Sequence, residues 1–183
     1  MLSVIIPVFN NENTIESAIA RVNSIPVEKE IIVVNDSSSD KTPVILSNLS
    51  FDSLKVIHHA TNRGRDAVVH TGIANAAGEY IAIHDAQLKC DPACYPRLEE
   101  ALKNQGADIV LGVSSRRFSL GSSLCVLLLN LLSGTRLKGW FSSCWVARRE
   151  CLLRLSCDFN GDNAFRVLKE ALKGKLRIIE VTI

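Results

Sequence analysis

The sequence carries little net charge of either sign. Lys and Arg number 21 against 19 Asp and Glu, a formal charge of +2 over 183 residues. A dedicated nucleic-acid binder shows a strong basic face, so that class is excluded. There is no apolar run long enough for a bilayer. The longest, Leu124 to Leu132, is broken by Asn130, and a spanning helix needs about 20 apolar residues. No basic segment precedes the first apolar run, so no secretory leader is expected. None of the six cysteines makes a Cys-x-x-Cys pair. Cys90 and Cys94 are too isolated for a zinc site, with only His84 nearby, and the thiols are expected to be reduced, mostly buried and cytoplasmic. Two nucleotide motifs are also missing. Without G-x-x-x-x-G-K-[ST] there is no P-loop, and without G-x-G-x-x-G after the first strand there is no dinucleotide fold. Internal repeats, low-complexity tracts and Pro/Gly linkers are absent, which leaves a single domain over 1–183.

What is present reads as an ordinary globular chain, 47% apolar and 22% charged. Leu2 to Phe9, Glu30 to Val34, Leu54 to His58, Tyr80 to His84 and Asp108 to Val113 are short apolar runs rich in β-branched residues, and each reads as a strand. Helical spacing fills the intervals: Thr14 to Asn23, capped by Asn11 or Asn13; Thr42 to Leu49, with Pro43 in its first turn; Arg65 to Ala77, closed by Gly78; and Tyr95 to Asn104. Strand and helix alternate through residue 113, the pattern of an α/β domain with a mainly parallel sheet. Beyond it, Leu120 to Leu132 and Phe165 to Leu172 read as helices and Leu176 to Ile183 as a strand. Phe141 to Arg148 is ambiguous.

In such sheets, ligands gather outside the carboxyl ends of the strands. Four of those ends are polar here. The first carries Pro7, Phe9, Asn10, Asn11 and Glu12. The second carries Asn35, Asp36 and a serine run. The third leads to Asn62, Arg63, Gly64 and Arg65, and the fourth to His84, Asp85 and Gln87. Asp36 can accept hydrogen bonds from a base, Arg63 or Arg65 can offset phosphate charge, and Asp85 can hold a divalent ion on a diphosphate. Taken singly, each is also an ordinary turn former. The convergence of four points to a nucleotide cleft.

The ordered segments VIIPVFNNENTI, EIIVVNDSSSD, HHATNRGRDAVVHTGI, GEYIAIHDAQLKCDPACYPRL, ARRECL and LRIIEVTI resemble the family 2 glycosyltransferases. Within that family the chain is most similar to the polyprenyl-phosphate (dolichol-phosphate mannose synthase-like) sugar transferases. The resemblance implies a three-layer GT-A fold with a mainly parallel mixed sheet. Residues 1–113 would form its nucleotide-binding part and 114–183 its acceptor side, without the family's C-terminal extension. It implies a nucleotide-diphosphate-sugar donor, Mg²⁺ or Mn²⁺, and inverting transfer to a lipid phosphate or another hydroxyl-bearing acceptor. It also implies a peripheral place on the inner face of a membrane.

Position by position, Pro7 and Phe9 match the loop that packs on the nucleoside, and Glu12 matches the second acid of N-E-E. Asn35 and Asp36 match the D/N-D pair, with Ser37 in place of a usual glycine. Asn62, Arg63, Gly64 and Arg65 match N-R-G-K/R, followed by Asp66, an acid that must turn away from a diphosphate. The metal motif D-x-D reads Asp85-Ala86-Gln87, so the ion would keep one charged ligand and one amide oxygen. Asp91 suits a helix cap. Asp162 is the nearest match to the late catalytic acid, and it also suits a helix N-cap. Gly121 to Leu132 fits either an interfacial helix beside Arg116, Arg117 and Arg136 or a core helix. Trp140 and Trp145 suit a sugar platform, an interface anchor or the core. The departure at Gln87 supports a second reading, a non-catalytic binding or assembly module with an eroded metal site.

Overall fold

The computed structural model describes residues 1–87, 90–113, 126–127, 130–131, 136–138, 144–155 and 165–183. Its strands are β1 (Leu2–Val8), β2 (Lys29–Asn35), β3 (Leu54–His58), β4 (Tyr80–Ile83), β5 (Ile109–Val113), β6 (Trp145–Arg148) and β7 (Ile178–Thr182). Its helices are α1 (Ile15–Asn23), α2 (Thr42–Ser47), α3 (Gly64–Asn75), α4 (Tyr95–Gln105), α5 (Arg149–Arg154) and α6 (Phe165–Lys173), with a 3₁₀ turn at Pro92–Cys94 ahead of α4. The seven strands form one sheet in the order β3-β2-β1-β4-β6-β5-β7. The first four run parallel. β6 is antiparallel to both neighbours, and β7 is parallel to β5.

Side chains alternate across the strands, and both faces are covered. Leu2, Val4, Ile6 and Val8 of β1 join Ile31 and Val33 of β2 in one layer with Ile15, Ile19 and Val22 of α1, Leu46 of α2 and Leu98 and Leu102 of α4. Ile5, Ile32, Val34, Ile81 and Ile83 face the opposite layer, with Val68, Val69 and Ile73 of α3, Leu152 of α5 and Leu168 and Ala171 of α6. Burial on both faces is why these strands read as unbroken apolar runs. Gly72 lets α3 lie directly on the sheet, since a Cβ there would collide with the Ile5 side chain.

Several expected details shift. Helix α3 ends at Asn75 and Gly78 does not close it. Gly78 instead donates its N–H to Ser3 Oγ at 2.9 Å and Glu30 Oε1 at 3.1 Å, tying the helix exit to β1 and β2. Neither Asn11 nor Asn13 caps α1 through its side chain. Thr14 holds that position without a side-chain cap bond, and the Asn11 carbonyl accepts from Thr14 and Ile15. The ambiguous segment contributes β6, and α5 follows it directly. Trp145 is buried in the sheet core. Trp140, Arg116, Arg117, Asp162 and most of Gly121 to Leu132 lie outside the described residues. Within that last stretch Leu127 and Leu131 are 64% and 77% exposed. Among the described residues, no helix is long and apolar enough to cross a membrane.

Candidate functional site

Because β1 to β4 run parallel, their carboxyl ends share one edge, where residues 9–12, 36–42, 59–64 and 84–87 converge. The loops after β1 and β2 are laced together. Asn10 N–H donates to Ser38 Oγ and Asn11 N–H to Thr42 Oγ1, both at 2.9 Å. Glu12 N–H donates to Asp40 Oδ2 at 3.0 Å, and Lys41 N–H donates back to Glu12 Oε2 at 2.8 Å. Ser39 N–H closes the row on Asn10 Oδ1 at 2.9 Å. Burial acts to raise the Asp40 pKa. Hydrogen bonds from the Thr42 hydroxyl and the Thr42 and Glu12 amides outweigh it and hold the carboxyl below its ordinary value. Ser37 sits at φ 60°, the left-handed region where a glycine would be unstrained.

Asp36 organises the next loop. It is 2% exposed. Its Oδ1 accepts from His59 Nδ1 at 2.7 Å and Arg63 N–H at 2.9 Å, and its Oδ2 accepts from Gly64 N–H at 2.8 Å. Three donors compensate the cost of burying this carboxylate. His59 is anchored in turn, with Nε2 3.0 Å from Thr71 Oγ1 of α3. Gly64 has φ 82° and open space where a Cβ would be. Glycine is therefore needed there for backbone conformation, which lets its amide reach Asp36.

These elements enclose a cleft of about 290 Å³ lined by Pro7, Phe9, Asp36, Asn62, Arg65, Asp85 and Gln87, together with Val8, Asn11, Gly64 and Val68. Phe9 is 48% exposed, an unusual state for an aromatic side chain outside a binding surface. Arg65 Nε is buried and has no hydrogen-bond partner among the described residues. A buried donor of this kind calls for an acceptor from elsewhere. Asp85 is half-buried and Gln87 exposed, with Gln87 N–H donating to Asp85 Oδ1 at 2.9 Å. One carboxylate and one amide oxygen are donors that could hold a divalent ion here.

Two expected residues stand apart from this cleft. Glu12 is tied into the lacing. Arg63 lines a shallower groove with Asp66, Ala67, His70 and Thr71. Asp66 is turned the same way and pairs with His70 at 3.6 Å, so its charge does not line the cleft. Asp91 caps the 3₁₀ turn through Ala93 N–H at 3.1 Å and pairs with Arg21 at 3.2 Å.

The sequence of the chain matches the profile described as "Glycosyl transferase family 2" over residues 3–126. The chain belongs to glycosyl transferase family 2. A dolichol-phosphate mannosyltransferase from Pyrococcus furiosus is 35% identical over 114 residues, 61% of this chain and 32% of that protein. An undecaprenyl-phosphate 4-deoxy-4-formamido-L-arabinose transferase from Pectobacterium carotovorum is 34% identical over 139 residues, 72% of this chain and 42% of that protein. The chain thus matches between about a third and two fifths of these relatives' lengths. Glucosyl-3-phosphoglycerate synthase from Mycobacterium tuberculosis, solved with Mn²⁺, UDP and phosphoglyceric acid, superposes with a TM-score of 0.75 at 23% identity. That match covers 100% of this chain and 68% of the other. A mannosyltransferase from Pyrobaculum calidifontis, solved with GDP-Man and Mn²⁺, gives 0.74 at 20% identity over 99% and 54% of the two chains. The fold of this family 2 domain is GT-A.

Three features of the family 2 domain escaped the sequence reading. His59 positions Asp36. His84, next to Asp85, is fully buried, with Nδ1 3.0 Å from the Tyr95 hydroxyl and Nε2 without a partner among the described residues. Burial first, and then Arg21, push its pKa down to about 4 against the opposing pull of Asp85 and Asp91. The expectation of reduced, isolated thiols is corrected for Cys90 and Cys144, which form a disulfide across a sequence separation of 54. The sheet order places Cys144 at the foot of β6 beside the end of β4, a proximity invisible in sequence spacing. Cys94 and Cys151 are free thiols. Burial and Asp91 raise Cys94 to about 12, and burial and Asp108 raise Cys151 to about 11.

Proposed function

We propose that this family 2 domain binds a nucleoside-diphosphate sugar in the cleft and transfers the sugar, with inversion, to a lipid phosphate or another hydroxyl-bearing acceptor. The observation that carries the reading is the buried Arg65 Nε, without a partner among the described residues, in a cleft that also presents Phe9, Asp36 and Asp85. Pro7 and Phe9 offer a flat apolar platform for a base. Asp36 Oδ2 accepts one protein hydrogen bond and has a further lone pair for a base N–H. Asn62 and Arg65 take the diphosphate, and Arg65 stabilises the charge that grows on the leaving group. When bound at Asp85 and Gln87, Mg²⁺ or Mn²⁺ supplies further neutralisation of that diphosphate. A phosphate acceptor is already anionic and needs little proton removal. For a neutral hydroxyl, Asp162 is the proposed general base. The names of the relatives support a polyprenyl-phosphate acceptor, and the exposed Leu127 and Leu131 suit contact with a membrane surface.

Gln87 favours a second reading, nucleotide binding without turnover, because it removes a charge from the metal site. Calorimetric titration with UDP and GDP, each with and without Mn²⁺, tests the main proposal. Binding strengthened by Mn²⁺ is expected. Binding indifferent to the ion supports the second reading, and no binding of either nucleotide defeats both.

A further inference from the structure

Three sulfurs meet beside the turn that carries Asp85 and Gln87. The Cys90–Cys144 disulfide has its Cα atoms 5.7 Å apart, within the range that unstrained chains bridge. Cys94 Sγ lies 4.0 Å from Cys90 Sγ, and the three sulfurs fall within 4.8 Å of one another. Cys90 follows the cleft turn closely in sequence. Cys94 ends the 3₁₀ turn that leads into α4. Cys144 precedes β6, and its carbonyl accepts the Gly112 N–H of β5 at 2.8 Å. The bridge therefore fastens Cys90, three residues after Gln87, to the central sheet.

We propose that Cys90, Cys94 and Cys144 form a reversible thiol–disulfide site that sets how firmly the Asp85–Gln87 turn is held. Its co-reactant is a small dithiol or the matching disulfide. Its control over donor binding rests on the reading of the cleft as a nucleotide site. On reduction, a dithiol thiolate attacks one sulfur of the bridge, and the other leaves as a thiolate and takes a proton. The second thiol of the reagent then displaces the protein sulfur and closes the reagent's own disulfide. Two electrons pass from dithiol to protein, and oxidation reverses each step. Cys94 adds an exchange that needs no external oxidant. Burial keeps Cys94 mostly protonated, so this exchange runs slowly through its small thiolate fraction. The thiolate displaces Cys144 from Cys90, a Cys90–Cys94 bond forms, and Cys144 leaves as a thiolate and takes up the proton Cys94 gave up. One bridge spans turn and strand, whereas the other is local to residues 90–94. Cys90 and Cys144 are buried and Cys94 is half-buried, which makes Cys94 the sulfur most open to a dissolved reagent. A thiophilic ion on the same sulfurs needs all three as thiolates, so ion and bridge exclude each other.

The test compares chain oxidised with glutathione disulfide and chain reduced with dithiothreitol and desalted without air. Peptide mapping without reduction is expected to find Cys90 linked to Cys144 in the first. Amide hydrogen exchange over residues 85–90 should be at least about threefold faster in the second. Titration with UDP and GDP in Mn²⁺ should then show affinity about three- to tenfold weaker after reduction, because a preorganised turn is lost. Cys144→Ala should behave as the reduced chain in either condition, and Cys90→Ser breaks the same bridge should the first variant fail to fold. Cys94→Ser should keep the linked peptide. No linked peptide, equal exchange in both states, or one zinc ion retained by the reduced chain and lost in Cys94→Ser overturns the proposal. Nucleotide affinity equal in both states overturns the control and leaves the nucleotide reading standing. A redox-dependent turn with no nucleotide binding in either state defeats that reading and leaves the clamp.

Discussion

On the β1–β2 side of the cleft, the chain is held by a row of hydrogen bonds between backbone amides and short polar side chains. On the β4 side, Gln87 N–H donates to Asp85 within the turn, and a covalent bridge at Cys90 follows in sequence. The contrast separates two uses of polar residues. In residues 9–12 and 36–42 the Asn, Ser, Asp and Glu side chains mostly bind the chain itself. They set the shape of that side of the cleft before any ligand arrives. At the β4 end, Asp85 and Gln87 line the cleft itself. The first side should therefore respond to substitution mainly in stability and the second mainly in affinity.

The largest effect is expected at Asp36. Asp36→Ala leaves the Arg63 and Gly64 amides and His59 Nδ1 without their acceptor. Stranding buried donors of this kind costs about 3 kcal/mol, read as a fall in unfolding free energy by urea titration. Nucleotide affinity should fall as well, since the loop that presents Arg65 loses its anchor. A loss below about 1 kcal/mol would mean that the loop holds its shape without Asp36. Gln87→Asp probes the opposite side. It restores a second carboxylate and should strengthen Mn²⁺-dependent nucleotide binding about tenfold, near 1.4 kcal/mol, with no gain when the ion is withheld. Transfer activity that appears only in this variant would show the natural chain to be a degenerate enzyme. An unchanged metal response would remove Gln87 from the site.

Much of the parallel half was legible, because strands buried on both faces leave apolar runs that turn formers interrupt. β3 was placed without error and β1, β2, β4 and β5 to within a residue or so. The cleft residues Pro7, Phe9, Asp36, Asn62, Arg65, Asp85 and Gln87 were also legible, as they sit directly after those strands. The rest depends on contacts between distant segments. His59 gains its role only when β3 delivers it to Asp36, and Glu12 loses a place in the cleft only when Asp40 and Lys41 arrive beside it. Cys144 reaches Cys90 only because β6 is inserted between β4 and β5, an order that runs against the sequence.

Two smaller effects sharpen the contrast on the laced side. Asp40 has a carboxyl pKa held below 3.8 by the hydrogen bonds it accepts. A depressed folded pKa gives stability that is fully present above the unfolded value and lost as pH falls through the folded one. The lacing should therefore weaken below about pH 3.8. Asp40→Asn should lower stability at neutral pH and show less further loss across that acid window, measured by urea unfolding from about pH 2 to 6. An identical acid limb in both proteins would show that other carboxylates set it.

The smallest change is expected at Ser37, whose φ of 60° places a side-chain-bearing residue in the left-handed region. That conformation costs an L-residue about 1–2 kcal/mol. Glycine removes the strain but gives back part of the gain through the freedom of its unfolded chain. Ser37→Gly should therefore stabilise the domain by about 0.5 kcal/mol and leave nucleotide affinity unchanged, because the neighbouring row of hydrogen bonds already fixes the loop. Destabilisation instead would show that the Ser37 side chain takes part in holding the loop, and the strain at that position would then be the cost of a contact rather than a departure the fold merely tolerates.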